Sequence, residues 1–272
     1  MVNFFSIRKD IYKHNLSQQG DNLINVKYPY SSIKGIYYME TASIFLFLTQ
    51  KIIKSPNLIT FFYILTGVVG AFFIGFSPPN FIFYLGLFMV FTKGTFDWAD
   101  GALARRLNKT SFLGHALDVY GASTCDAAFR VAFVFYTINY YPKYMSLFPV
   151  IVFVLLIIKF HLFSDVLYFR NKTKNHLENN KIIRNNNFQK DLENSKKFKG
   201  IDKLYYRYVS FLDDRARSID FLILILLVDK IFVYDLSLLL LILSILIILR
   251  EIVMHVAGIY LTFKTYKRSS NG

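Results

Sequence analysis

Asp97, Asp100, Asp118 and Arg105 fall close together in a run of chain that otherwise reads as membrane-embedded. Ionisable side chains at membrane depth are costly, so they mark a site rather than a decoration. On a helix Asp97 and Asp100, three residues apart, share a face. Arg105, eight beyond Asp97, is about 80° around and ~12 Å along the axis. Gly101 removes a side chain where a neighbouring helix or a ligand approaches, and Gly114 precedes Asp118 by one turn. Two helices entering the membrane from one side would bring the three carboxylates together near its surface. Carboxylates without His or Cys favour hard cations such as Mg²⁺, Mn²⁺ or Ca²⁺. At a membrane surface such ions most naturally hold a diphosphate, neutralising phosphoryl oxygens and stabilising the leaving group. A purely structural reading, in which Arg105, Arg106 or Lys93 pair with the acids across helices, leaves carboxylates in excess and gives Gly101 no part.

The elements that must position these groups are apolar spans. The 272 residues are 54% hydrophobic and 18% aromatic, with a mean hydropathy of +0.36. The apolar residues concentrate in runs of about 20, the length that crosses ~30 Å of hydrocarbon. The composition therefore predicts an all-α, polytopic membrane protein with six transmembrane helices and an N-terminal interfacial amphipathic helix. Residues 1–35 read as a polar cytoplasmic segment, interrupted at Tyr28-Pro29-Tyr30 and lacking the apolar core of a cleavable signal. Residues 36–54 carry Glu40, Gln50, Lys51 and Lys54 and suit a helix lying in the interface. The spans are expected at about 58–76, 81–95 (running on into the acidic motif), 112–140, 145–168, 219–233 and 236–263. A membrane domain thus covers 36–266, with a polar cytoplasmic segment at 170–218 and a short tail at 267–272. Within that segment, residues 171–200 read as a solvated linker, while 204–212 suit an interfacial helix.

The formal charge of +14 invites a nucleic-acid reading, which the position of the basic residues beside apolar spans argues against. Such residues set topology and contact anionic headgroups. Residues 170–218 alone hold 13 Lys and Arg, whereas the loops on the other side hold almost none. The positive-inside rule then places both termini and the acidic motif in the cytoplasm. The single Cys125 excludes an internal disulfide and a Cys-based metal site.

The pattern Asp97-x2-Asp100-Gly101-x2-Ala104-Arg105-x8-Gly114-x3-Asp118 resembles the signature of the CDP-alcohol phosphotransferases. Pro56-Asn57-Leu58-Ile59-Thr60 is similar to the Pro-Asn-x-x-Thr with which that family opens its first span. The resemblance covers roughly 36–266. It implies transfer of a substituted phosphoryl group from a CDP-linked donor, CDP-diacylglycerol or a CDP-amino alcohol, to an alcohol acceptor, with release of CMP in phospholipid biosynthesis. By position, it makes Asp97, Asp100 and Asp118 ligands of Mg²⁺ or Mn²⁺, two ions in all. Gly101, Ala104, Arg105 and Gly114 would lie against the cytidine and its diphosphate, and Arg170 near the acceptor. Membrane lipids and a homodimeric partner are also implied.

One position departs from the family. Its fourth aspartate, proposed as metal ligand and general base, is here Ala122, which weakens one metal site and leaves the proton without an acceptor. Asp126 is a poor replacement, since an undistorted helix puts it 80° and ~12 Å from Asp118, and two catalytic metals sit only ~3.5–4 Å apart. A kink at Gly121 would shorten that distance; a pair with Arg130 is the structural alternative. His115, three residues before Asp118, is a second candidate base, with a plain hydrogen-bonding role as its alternative. Three accounts of Ala122 stay open: an engineered substitution, a natural member using other groups, or a homologue that binds CDP-linked ligand or lipid without turnover. Lys159, His161 and Asp165 would border the acceptor pocket or pair between helices, and Arg250, Glu251 and His255 suit a local ion pair. A transporter would instead place acids near the bilayer midplane within inverted repeats.

Overall fold

Lys93 interrupts what hydropathy alone would make one long helix, and the architecture is organised around that break. The computed structural model describes residues 3–19, 29–140, 215–231, 236–250 and 252. Regular structure among them is helical throughout: α1 (Phe4–Gln19), α2 (Pro29–Thr49), α3 (Pro56–Phe76), α4 (Phe81–Thr92), α5 (Gly94–Arg106), α6 (Phe112–Tyr140), α7 (Arg215–Ile231) and α8 (Ser237–Arg250). The chain divides into two compact units, Met1–Asn139 and Tyr140–Gly272.

The helix ends follow local chemistry. α3 starts with Pro56 in its first turn, where a missing N–H costs nothing, and stops before Pro78-Pro79. Asn80 caps α4, its side chain accepting from the N–H groups of Ile82 and Phe83 at 3.0 and 3.4 Å. At the α4–α5 break the Tyr38 hydroxyl donates to the Phe91 carbonyl at 2.8 Å, and the Thr41 and Thr95 hydroxyls meet at 2.9 Å. α5 ends in a Schellman turn. Asn108 takes a left-handed φ of 53°, and the N–H groups of Lys109 and Asn108 bond back to Ala104 and Arg105. Ser111 then caps α6 by accepting from the Gly114 N–H at 3.0 Å.

Two differences from the expected layout stand out. The N-terminal segment contains a full helix, α1, and Pro29 begins α2 instead of interrupting a helix. α2 therefore spans 29–49 where 36–54 was expected, because proline suits a first turn as well as a loop. The helix at the expected second span, α4, ends at Thr92, and the acidic motif occupies a separate helix. The expected spans at 58–76 and 112–140 coincide with α3 and α6. The span expected at 145–168 and the linker at 171–200 lie outside the described residues.

α5 is amphipathic. Its buried Ala99, Ala102 and Leu103 join Ile7 and Ile11 of α1, Met39, Ala42 and Leu46 of α2, and Ile59 of α3 in one core. α3 and α4 cross closely, since a side-chain carbon on Gly86 would stand 2.7 Å from the Gly70 carbonyl oxygen. α6 packs on α3 through Cys125 at Gly67 and Ala132 at Gly75, and it continues as one helix through Gly121. α3 leaves Phe61, Leu65, Val68, Phe72 and Phe76 exposed, an apolar stripe suited to hydrocarbon. Among the described residues α3 alone is both long and apolar enough to cross a membrane; α8 is apolar but shorter. In the second unit, α7 buries Ile219, Leu222, Ile223 and Leu226, and α8 buries Leu240, Ile247 and Ile248.

α1 is held by a polar clamp as well as by Ile7 and Ile11. Arg8 Nε donates to both Glu40 carboxylate oxygens at 2.8 and 2.9 Å, the Tyr12 hydroxyl donates to Glu40 at 2.5 Å, and Arg106 pairs with Asp10. The Arg8 hydrogen bonds hold the Glu40 carboxyl below the usual glutamate range. A lowered folded value means the contribution is full above the ordinary glutamate pKa of about 4.3 and fades as pH falls through the lowered one. Acidification below about pH 4 should therefore loosen α1, seen as faster backbone hydrogen exchange over residues 4–19, with E40Q already loosened at neutral pH.

Candidate functional site

The face of α5 opposite its apolar core carries Asp97 and Asp100, and α6 brings Asp118 to them. Asp97 and Asp118 come within hydrogen-bonding reach of one another, with Asp100 close enough to both to interact by charge. Asp100 is buried, at 7% exposure. Its Oδ2 accepts from the Thr60 hydroxyl at 2.5 Å, and the Gly101 backbone N–H also bonds to it. Three carboxylates this close repel unless cations or shared protons intervene. The nearby cations are Arg105, acting on Asp100, and Lys93, acting on Asp97. Lys93 projects from the α4–α5 break over the ring of the buried Tyr63, 5.1 Å from its centroid.

Gly101, Ala104 and Arg105 follow on the same helix. The Arg105 guanidinium, although exposed, folds over Gly101 into the space a side chain would fill, with Nη1 3.2 Å from an added Cβ. Gly114 lies in the first turn of α6, where an added Cβ would meet Ser111 Oγ at 3.2 Å and Asn57 Oδ1 at 3.5 Å. The beginning of α3 thus touches both halves of the motif, Asn57 beside Gly114 and Thr60 on Asp100.

His115 is exposed at the start of α6. Ala122 sits one turn beyond Asp118 on the same helix and is half-buried. One further turn on, Asp126 Oδ1 accepts from Arg130 Nε at 3.0 Å, both side chains being nearly buried, so Asp126 is committed to an ion pair. Arg170, Lys159, His161, Asp165, Glu251 and His255 lie outside the described residues.

Thr60, Asn57, Tyr63 and Lys93 are the site residues that motif reading gave no role. Thr60 and Asn57 were visible as part of the Pro-Asn-x-x-Thr string, and Lys93 as a charge at a span end. Tyr63 carries no signal beyond its place one turn after Thr60.

The donor set is all oxygen and suits a hard divalent cation by type. Among the described residues no three such groups stand in ligating geometry, and Asp100 Oδ2 is engaged by Thr60. The Asp97–Asp118 approach is nonetheless what a pair of carboxylates needs an intervening cation to sustain as two anions.

Residues 53–183 match the family described as CDP-alcohol phosphatidyltransferase. The match takes in just under half of the chain, includes α3 to α6 and every motif residue from Asn57 to Asp118, and leaves α1 and α2 ahead of it. No curated protein and no solved structure matches the chain.

Thr60 supplies a side-chain hydrogen bond to the buried Asp100 carboxylate. T60V should lower stability by about 1–3 kcal/mol, whereas T60S, which keeps the hydroxyl, should cost clearly less; thermal unfolding in detergent compares the two.

Proposed function

With residues 53–183 matching the CDP-alcohol phosphatidyltransferase family, we propose that the protein transfers a substituted phosphoryl group from a CDP-linked donor to an alcohol at a membrane surface, releasing CMP. The observation that carries this reading is the convergence of Asp97, Asp100 and Asp118, with Thr60 and Asn57 of the first long helix set against them.

In the reaction the acceptor oxygen attacks the phosphorus that bears the donor's alcohol. The bond from that phosphorus to the oxygen of CMP breaks, and the hydroxyl proton passes to a base. Mg²⁺ or Mn²⁺, held by Asp97, Asp100 and Asp118, would offset diphosphate charge and stabilise the departing CMP. Rotation of Asp100 away from Thr60 would complete that ligand set. Gly101, Ala104 and Gly114 leave room for the nucleotide to lie close to the backbone of α5 and α6, and Arg105 can swing from above Gly101 onto a phosphate. Arg170 is assigned to the acceptor. His115, exposed beside Gly114, is the proposed proton acceptor, because Asp126 is taken by Arg130. The donor is CDP-diacylglycerol or a CDP-amino alcohol. The proposed setting is a multi-pass protein of six spans with both termini and the site in the cytoplasm, acting as a homodimer.

Ala122 favours one second reading, a relative that binds CDP-linked ligand without turnover. Purified protein with Mn²⁺ and either donor class should release labelled CMP, and D118N should reduce that release by roughly 10²-fold or more. Nucleotide binding with no CMP release under any of these conditions would sink the transferase reading and leave the binding one. Supplying the missing carboxylate, A122D should raise CMP release more than about tenfold, a gain within the range of a well-placed general base.

A further inference from the structure

α1 does more than cover the apolar face of α5. Between the two helices lies a cavity of ≈ 330 Å³ lined by Asp10, Ile11, Lys13 and His14 of α1 and by Ala102, Arg105 and Arg106 of α5. Ala102 and Arg106, five and nine residues after Asp97, stand about 140° and 180° around the helix from it. Of its charged lining, Asp10 is already neutralised by Arg106. Lys13 is exposed, and Arg105 reaches the cavity from the helix edge between the two faces. The remaining field is positive, and the volume is at the lower end of what encloses a small ligand.

We propose that this pocket binds a phosphate group, with Lys13 and Arg105 as its charged contacts, as a site separate from the acidic cluster. Arginine and lysine converging from two helices suit a phosphate's several acceptor oxygens, and a carboxylate already paired inside the pocket does not repel it. The phosphate belongs either to a soluble ion or to a lipid headgroup, since both present the same terminal oxygens. α1, which supplies Asp10, Ile11, Lys13 and His14 to the pocket, lies outside the residues that match the family. Occupancy of the pocket would set how often Arg105 is free to lie over Gly101, which links the pocket to the nucleotide side of α5.

Trp98, the chain's single tryptophan, lies on α5 and packs against the same core, so it reports on the packing of α1 against α5. Full-length protein in phosphatidylcholine nanodiscs, with chelator present to keep metal out, is titrated with inorganic phosphate at constant ionic strength. Parallel discs contain phosphatidate. The wild type should give a saturable change in Trp98 fluorescence with at least one probe; a response to the soluble ion in plain discs assigns a free phosphate, and a response confined to phosphatidate discs assigns a headgroup. K13E should raise the half-saturation point roughly tenfold and K13Q by less. K9E, an equal charge reversal on α1 outside the pocket lining, and D118N should leave it unchanged. No saturable response to either probe overturns the proposal. So does a response lost in D118N but kept in K13E, which would place the anion at the acidic cluster, or equal losses in K9E and K13E.

Discussion

Three carboxylates brought within mutual reach on a partly buried surface are the constraint to which the first unit of this protein answers. Left in water they would repel weakly; among packed helices the same charges cost far more. Each neighbouring feature supplies some compensation. The Thr60 hydroxyl and the Gly101 N–H engage Asp100, Lys93 stands beside Asp97, and Arg105 lies near Asp100. None of these donors cancels the Asp97–Asp118 approach. On the proposed function, a divalent cation with its diphosphate would offset that residual repulsion. Full neutralisation by protein groups would leave a stable helix pair and no site.

Holding the acids against their own repulsion requires a rigid α5, and its rigidity comes from the other face. Ala99, Ala102 and Leu103 are small enough to let α1, α2 and α3 approach, yet together they bury a continuous apolar strip. The break at Lys93 sets the direction of that strip independently of α4, and Tyr38 compensates the break by bonding to the Phe91 carbonyl. The Schellman turn at Asn108 then reverses the chain within a few residues, so that α6 starts close enough for Asp118 to face Asp97. Changes at Tyr38 or Asn108 act on the site through geometry alone, without touching a charged group.

Much of this was legible in the sequence wherever a local rule sufficed. Period and punctuation placed apolar spans at about 58–76, within α3, and at about 112–140, along α6, and helix spacing put Asp97 and Asp100 on one face. The Asp126–Arg130 pair also follows from spacing, four residues along one helix. What escaped were interactions between residues far apart in sequence. Thr60 reaches Asp100 across 40 residues, and Arg8 reaches Glu40 across 32. The break at Lys93 leaves no local trace, because Phe91-Thr92-Lys93-Gly94-Thr95 contains no proline and only one glycine. α1 escaped for a related reason. Its two buried isoleucines, Ile7 and Ile11, form a stripe one turn long within an otherwise polar helix, which is too little to announce burial without the partner surface.

That short stripe makes α1 a conditional element. Ile7, Ile11 and the Arg106–Asp10 pair fasten its sixteen residues toward α5, while the Arg8–Glu40–Tyr12 clamp and the Phe4–Phe47 ring contact fasten them to α2. The ion pairs are exposed enough to be worth little individually, and a helix so attached opens and closes at modest free-energy cost. Arg106 sits one position after Arg105, so α1 cannot leave without freeing the Arg106 cation from Asp10. The motif helix is therefore coupled to a segment that lies wholly ahead of the family-matched residues. The N-terminal segment bears on the acids by two routes: directly on α5 through Ala102, Arg105 and Arg106, and through Glu40 on α2, whose Tyr38 and Thr41 bond at the α4–α5 break.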